Sequence, residues 1–302
     1  MNNSVYVNDF QRYLAEFTKK SDNTIASYTY DVKHFLNYIE ETGLAGTLDV
    51  TKKDVERYVD WSKKTGKSNA TISRSITSLK AFYRYIVQSG GLDENPAEHV
   101  ATAKIERKLP QVLTEHEVEL LLNQPKCTDM KSYRDKAMLE LLYATGIKVS
   151  ELIALNKDDI DLINGFIFCQ RSGKWHAIPL YRAAVNAISE YLAMARRQML
   201  WLPTESALFV NMSGERMSRQ GFWGIVKYYQ EKAGISKEIS PYTLRHSFAV
   251  TLLDNGADQR SVQAMLGYAD INSVKTYARI AKKQFRAVYD RVHPRACYQP
   301  GD

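Results

Sequence analysis

The stretch Ser240-Pro241-Tyr242-Thr243-Leu244-Arg245-His246-Ser247-Phe248-Ala249 sets an arginine among several hydrogen-bond donors, and Leu266-Gly267-Tyr268 and Tyr277 follow it. A guanidinium is a planar fork that grips a phosphate through two parallel bonds. A tyrosine hydroxyl beside a phosphate so held can act as a nucleophile and form a covalent intermediate. The residue types therefore point to phosphate chemistry carried by side chains.

The bulk composition agrees with an anionic partner. The chain of 302 residues carries 41 Lys and Arg against 34 Asp and Glu, a net charge of +7. Nucleic acid is the commonest partner of such a surface. A hydrophobic content of 44% suits folded globular domains, and the length accommodates two of them. Cys127, Cys169 and Cys297 form no close pair, so neither a disulfide framework nor a zinc site is indicated. The polar start Met1-Asn2-Asn3-Ser4 leads into no apolar segment, and no apolar run approaches membrane-spanning length. A cytoplasmic protein with no membrane partner is expected.

The first hundred residues read as four helices. Val7 to Lys19 spaces Phe10, Tyr13, Leu14 and Phe17 helically. Ser21 is placed to cap a second helix bearing Ile25, Tyr28, Val32, Phe35, Leu36 and Ile39, which Gly43 ends. Thr51 starts a third with Val55, Tyr58 and Val59, and Asn69 or Thr71 opens a fourth that runs to Gly90-Gly91. The third and fourth helices carry Lys63, Lys64, Lys67, Arg74, Lys80 and Arg84, interleaved with Ser, Thr and Asn. Phosphate contacts use this mixture of side chains, so these residues are the candidate DNA-binding set.

A charged stretch lacking apolar periodicity, ending at Pro110, reads as a linker. The expected domains are thus 1–102 and 112–302, joined by 103–111. In the second, Thr114 and Glu117 form a capping box. Helices are expected over Arg134 to Tyr143 and Val149 to Leu155. Gly165 to Gln170 and Trp175 to Leu180 read as two strands joined by Arg171-Ser172-Gly173-Lys174. From Ala183 the pattern is helical, except near Pro203, Asn211 to Gly214, and Gly234 to Pro241.

The C-terminal run resembles the signature of the tyrosine recombinases, or phage-type integrases, in particular the Xer-type members. Leu142-Tyr143-Ala144-Thr145-Gly146-Ile147-Lys148-Val149-Ser150-Glu151-Leu152 resembles the family's first catalytic box. The resemblance implies a mainly α fold with a small β-hairpin or sheet: a helical SAM-like core-binding domain plus a catalytic domain, closed as a clamp around duplex DNA. It implies two arginines on the scissile phosphate and a hairpin lysine that protonates the leaving 5′ oxygen. Two histidines, or a histidine and a tryptophan, supply further donors, and a tyrosine forms a 3′-phosphotyrosyl bond, so no metal and no cofactor is consumed.

Carried over by position, Arg245 matches the second arginine and Tyr277 the nucleophile. Lys148 stands where the first arginine is usual, Arg171 at the hairpin lysine, and Tyr242 and Tyr268 where His, or His or Trp, is usual. Lys148 and Arg171 keep positive charge, and both tyrosines keep a donor hydroxyl. Lysine cannot form the planar fork, and arginine is a poor general acid, so retained phosphate binding with slowed cleavage is expected. Lys174, across the turn, is a second candidate acid.

His246 is expected to be a structural helix residue. The amphipathic tail Lys282 to Tyr289 is either a helix closing its own domain or, as the resemblance implies, a segment docking on a neighbouring protomer in a dimer or tetramer on DNA. Two functions stay open: a site-specific recombinase, or a catalytically silent DNA-binding regulator of a phage or other mobile element.

Overall fold

A computed structural model describes residues 3–44, 46–102, 109–171, 173–202 and 204–281. The chain divides into two compact units, 1–107 and 108–302.

The first unit is built from α1 (Asn3–Phe17), α2 (Asp22–Glu41), α3 (Lys52–Lys64) and α4 (Asn69–Gln88). Three of the four starts have a local cause. Ser21 and Ser68 side chains accept from the amides of Thr24 and Thr71. At α3 the Thr51 amide donates to Asp54 at 2.9 Å. One apolar stripe of each helix meets the others in a core centred on Phe10, Phe35, Tyr58, Ile76, Leu79, Phe82 and Tyr83. The rings of Phe10 and Phe82 meet edge-on at 5.3 Å, the geometry aromatic quadrupoles favour.

The second unit opens with α5 (Glu115–Leu122) and α6 (Met130–Thr145). The expected capping box is present: Glu117 accepts from the Thr114 amide at 2.8 Å, and Thr114 Oγ1 from the Glu117 amide at 3.2 Å. Helix α6 runs past the expected Arg134–Tyr143 at both ends. Its middle residues, Ala137, Met138, Leu139, Leu141 and Leu142, are buried on every side. It packs against α5 and, further along the chain, against the helices over 149–154, 182–190 and 241–254 and the strand over 174–179.

Then come α7 (Val149–Ala154) and an antiparallel sheet, ordered β1 (Ile160–Asp161), β2 (Phe166–Arg171), β3 (Lys174–Pro179). Arg171 pairs with Lys174 across the hairpin turn. Helix α8 (Arg182–Glu190) passes through a wider π stretch, Tyr191–Arg196, into α9 (Arg197–Met199). There Arg196 is buried and donates to the carbonyls of Glu205, Ala207 and Leu208. The set ends with α10 (Arg219–Lys232), α11 (Pro241–Asp254), α12 (Gln259–Leu266) and a helical segment 272–281. The architecture is mainly helical with one small three-stranded antiparallel sheet. Among the described residues, no helix is long and apolar enough to cross a membrane. The tail from Lys282 and most of the expected linker lie outside the described residues.

Candidate active site

Two helices end at the same place. Helix α6 stops at Gly146, with φ +56°, and α12 stops at Gly267, with φ +66°. Both adopt the left-handed conformation that glycine takes without a Cβ penalty. Space demands glycine as well: a Cβ on Gly146 would lie 2.3 Å from Phe248, and one on Gly267 would lie 2.8 Å from Arg171. Each ending leaves carbonyls without an intrahelical partner, at the negative end of the helix dipole.

Arginines fill these carbonyls. Arg245, in the second turn of α11, is only 2% exposed. It donates through Nη1 to the Gly146 carbonyl and through Nη2 to the Leu266 carbonyl at 2.8 Å. Its guanidinium lies 4.9 Å from the centre of the Tyr268 ring. Arg171, from the end of β2, donates to the Met265 carbonyl at 2.8 Å and grips Glu151 through Nε and Nη2, each at 3.1 Å. Glu151 in turn accepts from the Lys148 amide at 2.8 Å, which ties the start of α7 to the hairpin.

Arg245 differs from Arg171 in one respect that matters. Arg171 is neutralised by Glu151, whereas Arg245 is held by neutral carbonyls and has no ion-pair partner among the described residues. Three of its five N–H groups point at Gly146, Leu266 and, at 3.5 Å, the Tyr268 hydroxyl. A buried cation of this kind is stabilised by an anion placed on the remaining donors.

Tyr277 stands beside it and is 4% exposed. Its hydroxyl is 2.9 Å from Tyr268 Oη and 2.8 Å from His246 Nδ1. Burial, then the hydrogen bond with Tyr268, raises the Tyr277 hydroxyl well above its ordinary value, while Arg245 opposes the rise. Burial and the neighbouring Arg245 charge push His246 down to about 4. The resting site therefore holds a neutral phenol against a neutral imidazole.

The remaining candidates are placed differently. Lys148 and Lys174 are exposed, and Tyr242 is 56% exposed although it lies one turn before Arg245. The structure brings together Arg245, Tyr268 and Tyr277 and leaves Tyr242, Lys148 and Lys174 on the surface around them. Sequence reasoning passed over two members of this cluster. His246 was assigned to the helix alone, and Glu151 was given no role. Their partners lie 31 and 20 residues away, so no local spacing announces either contact.

Most of the basic residues of the helical unit have partners. Arg74 holds the buried Asp31 through two bonds, at 3.0 and 2.8 Å. Lys67 lies 2.8 Å from His34 Nε2 and over the ring of Trp61. Burial, then the Lys67 charge, lowers His34, which makes it the acceptor of that contact. Lys63 pairs with Asp60 at 3.1 Å and Arg84 with Glu98 at 3.3 Å, both at the surface. Lys64 is exposed and Lys80 half-buried, and neither has an ion pair among the described residues.

Comparison with known proteins places this arrangement. Residues 111–284 match the Phage integrase family, and residues 7–90 match the Phage integrase, N-terminal SAM-like domain. The chain belongs to the phage integrase family, the tyrosine recombinases. A tyrosine recombinase XerD of Oceanobacillus iheyensis is 42% identical over 293 residues, covering 96% of this chain and 98% of that protein. A XerD of Halalkalibacterium halodurans is 40% identical and covers 91% and 93%. Among solved structures, a XerA recombinase is 27% identical at a TM-score of 0.54, covering 97% and 99% of the two chains. The post-cleavage complex of the XerH site-specific recombinase with palindromic difH substrate shares the fold at a TM-score of 0.76 and 19% identity, covering 95% of each chain. This integrase-family chain is thus XerD-like along nearly its whole length, and its arginine and tyrosine cluster falls inside the matched catalytic segment.

Proposed function

We propose that this integrase-family chain cuts and rejoins duplex DNA through a 3′-phosphotyrosine at Tyr277. The observation that supports the reading most is the buried, carbonyl-held Arg245 with the Tyr277 hydroxyl linked to it through Tyr268. Arg245 binds the non-bridging phosphate oxygens, and Lys148 supplies charge without a fork. Lys174, exposed at the turn, is the proton donor for the leaving oxygen, because the Arg171 guanidinium is engaged by Glu151 and the Met265 carbonyl.

Lys148 and the engaged Arg171 make cleavage slow. The same two residues support the second reading, a DNA-binding regulator that keeps the scaffold of a mobile-element recombinase without turnover. The test uses a duplex selected by this protein from a random-sequence library and nicked next to the scissile phosphate, so that the departing strand cannot religate. The protein should form a covalent adduct stable on a denaturing gel, and Tyr277→Phe should form none. Tight binding without adduct selects the regulator.

Partners of the proposed enzyme are duplex DNA and further copies of itself. A lambda integrase tetramer bound to a Holliday junction shares the fold. Residues 1–102, with Lys64, Lys80 and the weakly paired Lys63 and Arg84, contribute phosphate contacts. Exposed ion pairs are worth ~0–1 kcal/mol, so a phosphate displaces them readily. Arg74, joined to a buried aspartate, stays a structural residue. Log affinity should fall against log salt with a slope of about −0.9 per phosphate contact. A titration of the selected duplex at several salt concentrations measures this slope, and salt-independent binding would refute the assignment.

A further inference from the structure

The residue whose place the recombinase reading leaves unexplained is His246. Among the described residues, the hydrogen-bond partners of Tyr277 Oη are His246 and Tyr268. Arg245 Nε can only donate, so Tyr268 Oη accepts from it. The Tyr268 and Tyr277 hydroxyls can bond in either sense at 2.9 Å; when Tyr268 donates, the Tyr277 proton is directed at His246 Nδ1, 2.8 Å away. The two rings lie 5.4 Å apart, centre to centre.

We propose that His246 Nδ1 is the catalytic proton acceptor for Tyr277, a role that rests on the recombinase reading above. In cleavage, Tyr277 Oη bonds to phosphorus and the bond from phosphorus to the 5′ oxygen breaks. The Tyr277 proton passes to Nδ1 and leaves an imidazolium. The 5′ oxygen departs with its electron pair and takes a proton from Lys174 or water. In rejoining, the 5′ hydroxyl gives its proton back to Lys174 or water as it attacks the phosphotyrosine, and the imidazolium returns its proton to the departing phenolate.

The surroundings suit this exchange. The groups facing the imidazole are Arg245, Tyr277 and, through it, Tyr268. On the other side is a pocket of about 390 Å³ lined also by Trp223, Lys227 and Glu238. Lys227 and Glu238 sit 3.8 Å apart, so they nearly cancel and leave Arg245 as the dominant charge. Arg245 opposes an imidazolium beside it until a phosphate covers the guanidinium. Proton transfer is therefore coupled to occupation of the site by DNA, and a vacant site holds Tyr277 protonated.

The test uses the full chain and the selected, nicked duplex. His246→Asn places an amide oxygen near Nδ1, which can accept a hydrogen bond but cannot carry the proton. Its adduct rate should fall about 10²-fold or more, the usual worth of a general base. The pH profile reports the mechanism. The unaltered protein should be flat between roughly pH 6 and 9, whereas the variant should climb about tenfold per pH unit, because hydroxide must now ionise Tyr277. With sulfur replacing the bridging 5′ oxygen, the leaving group needs no proton. The His246→Asn defect should persist on that substrate while a Lys174→Ala defect disappears. Equal rates for His246→Asn and the unaltered chain would overturn the proposal alone, as would a steep profile for the unaltered chain, which needs no variant to fold. An unaltered chain that binds its duplex but forms no adduct on either substrate overturns the recombinase reading and this proposal with it.

Discussion

Arg245→Ala is expected to reduce Tyr277 adduct by about 10³-fold or more, the scale on which an arginine stabilises the charge of a transferring phosphoryl group. The reason is geometric as well as electrostatic. The guanidinium is anchored by the Gly146 and Leu266 carbonyls, so it waits in place and loses nothing to reorganisation when the phosphate arrives. The variant should still bind duplex DNA through the helical unit, with a salt slope smaller by about one phosphate contact. Stability responds with mixed sign. Each orphaned carbonyl costs about 1–3 kcal/mol, while removal of a buried, unneutralised charge offsets part of that. Thermal unfolding of Arg245→Ala and Arg245→Lys separates the two, because lysine keeps the charge and reaches fewer acceptors. An Arg245→Ala protein that folds and forms adduct at the parental rate would show that the phosphate binds elsewhere.

The anchoring of that arginine also marks where sequence reading succeeds and where it stops. Signals whose physics is local were legible. The caps at Ser21, Thr51 and Thr114 lie within four residues of what they bond, and the two strands that end and begin at Arg171 and Lys174 were read from their period. The types and spacing of Arg245, Tyr268 and Tyr277 placed the chain among the tyrosine recombinases, and the mainly helical two-part fold followed from that resemblance. Helix α6 was undersized because it is buried all round and has no polar face to set its limits. Strand β1 spans two residues, too few for an alternating pattern. The unread part of the site depends on tertiary contacts. Retained positive charge made Arg171 look like a cradle residue, yet Glu151, 20 residues earlier, and the Met265 carbonyl hold its guanidinium. Arg74 read as a free surface cation; it is exposed, but it is bonded to Asp31, which lies 43 residues away and is buried. The distinction between a cation that is free and one already partnered is not written in its residue type.

That distinction decides the second large effect. The double change Lys148→Arg with Arg171→Lys should raise Tyr277 adduct by about 10²-fold or more, at roughly 1.4 kcal/mol per tenfold. Arginine at 148 supplies a fork on an exposed residue at the start of α7. Its backbone bond to Glu151 does not depend on the side chain. Lysine at 171 cannot hold Glu151 through two bonds, so the hairpin loosens and gains a titratable acid at its turn. Each effect is worth ~2–4 kcal/mol in the transition state by comparison with a single oxyanion donor. The same loosening has a stability cost. The Arg171–Glu151 pair is buried, and disturbing one partner of such a pair costs up to about 3–5 kcal/mol, less here because lysine keeps the charge. Activity and melting temperature should therefore move in opposite directions, a pattern that mere repair of a damaged protein would not give. Adding Tyr277→Phe must silence the double variant. If the double variant binds DNA tightly, melts lower and still forms no adduct, Lys148 and Arg171 are not what limits cleavage, and the regulator becomes the better description. If the unaltered chain already forms abundant adduct, the Glu151-bound Arg171 was never needed as an acid, and Lys174→Ala should then remove most of the rate on an oxygen-bridged duplex.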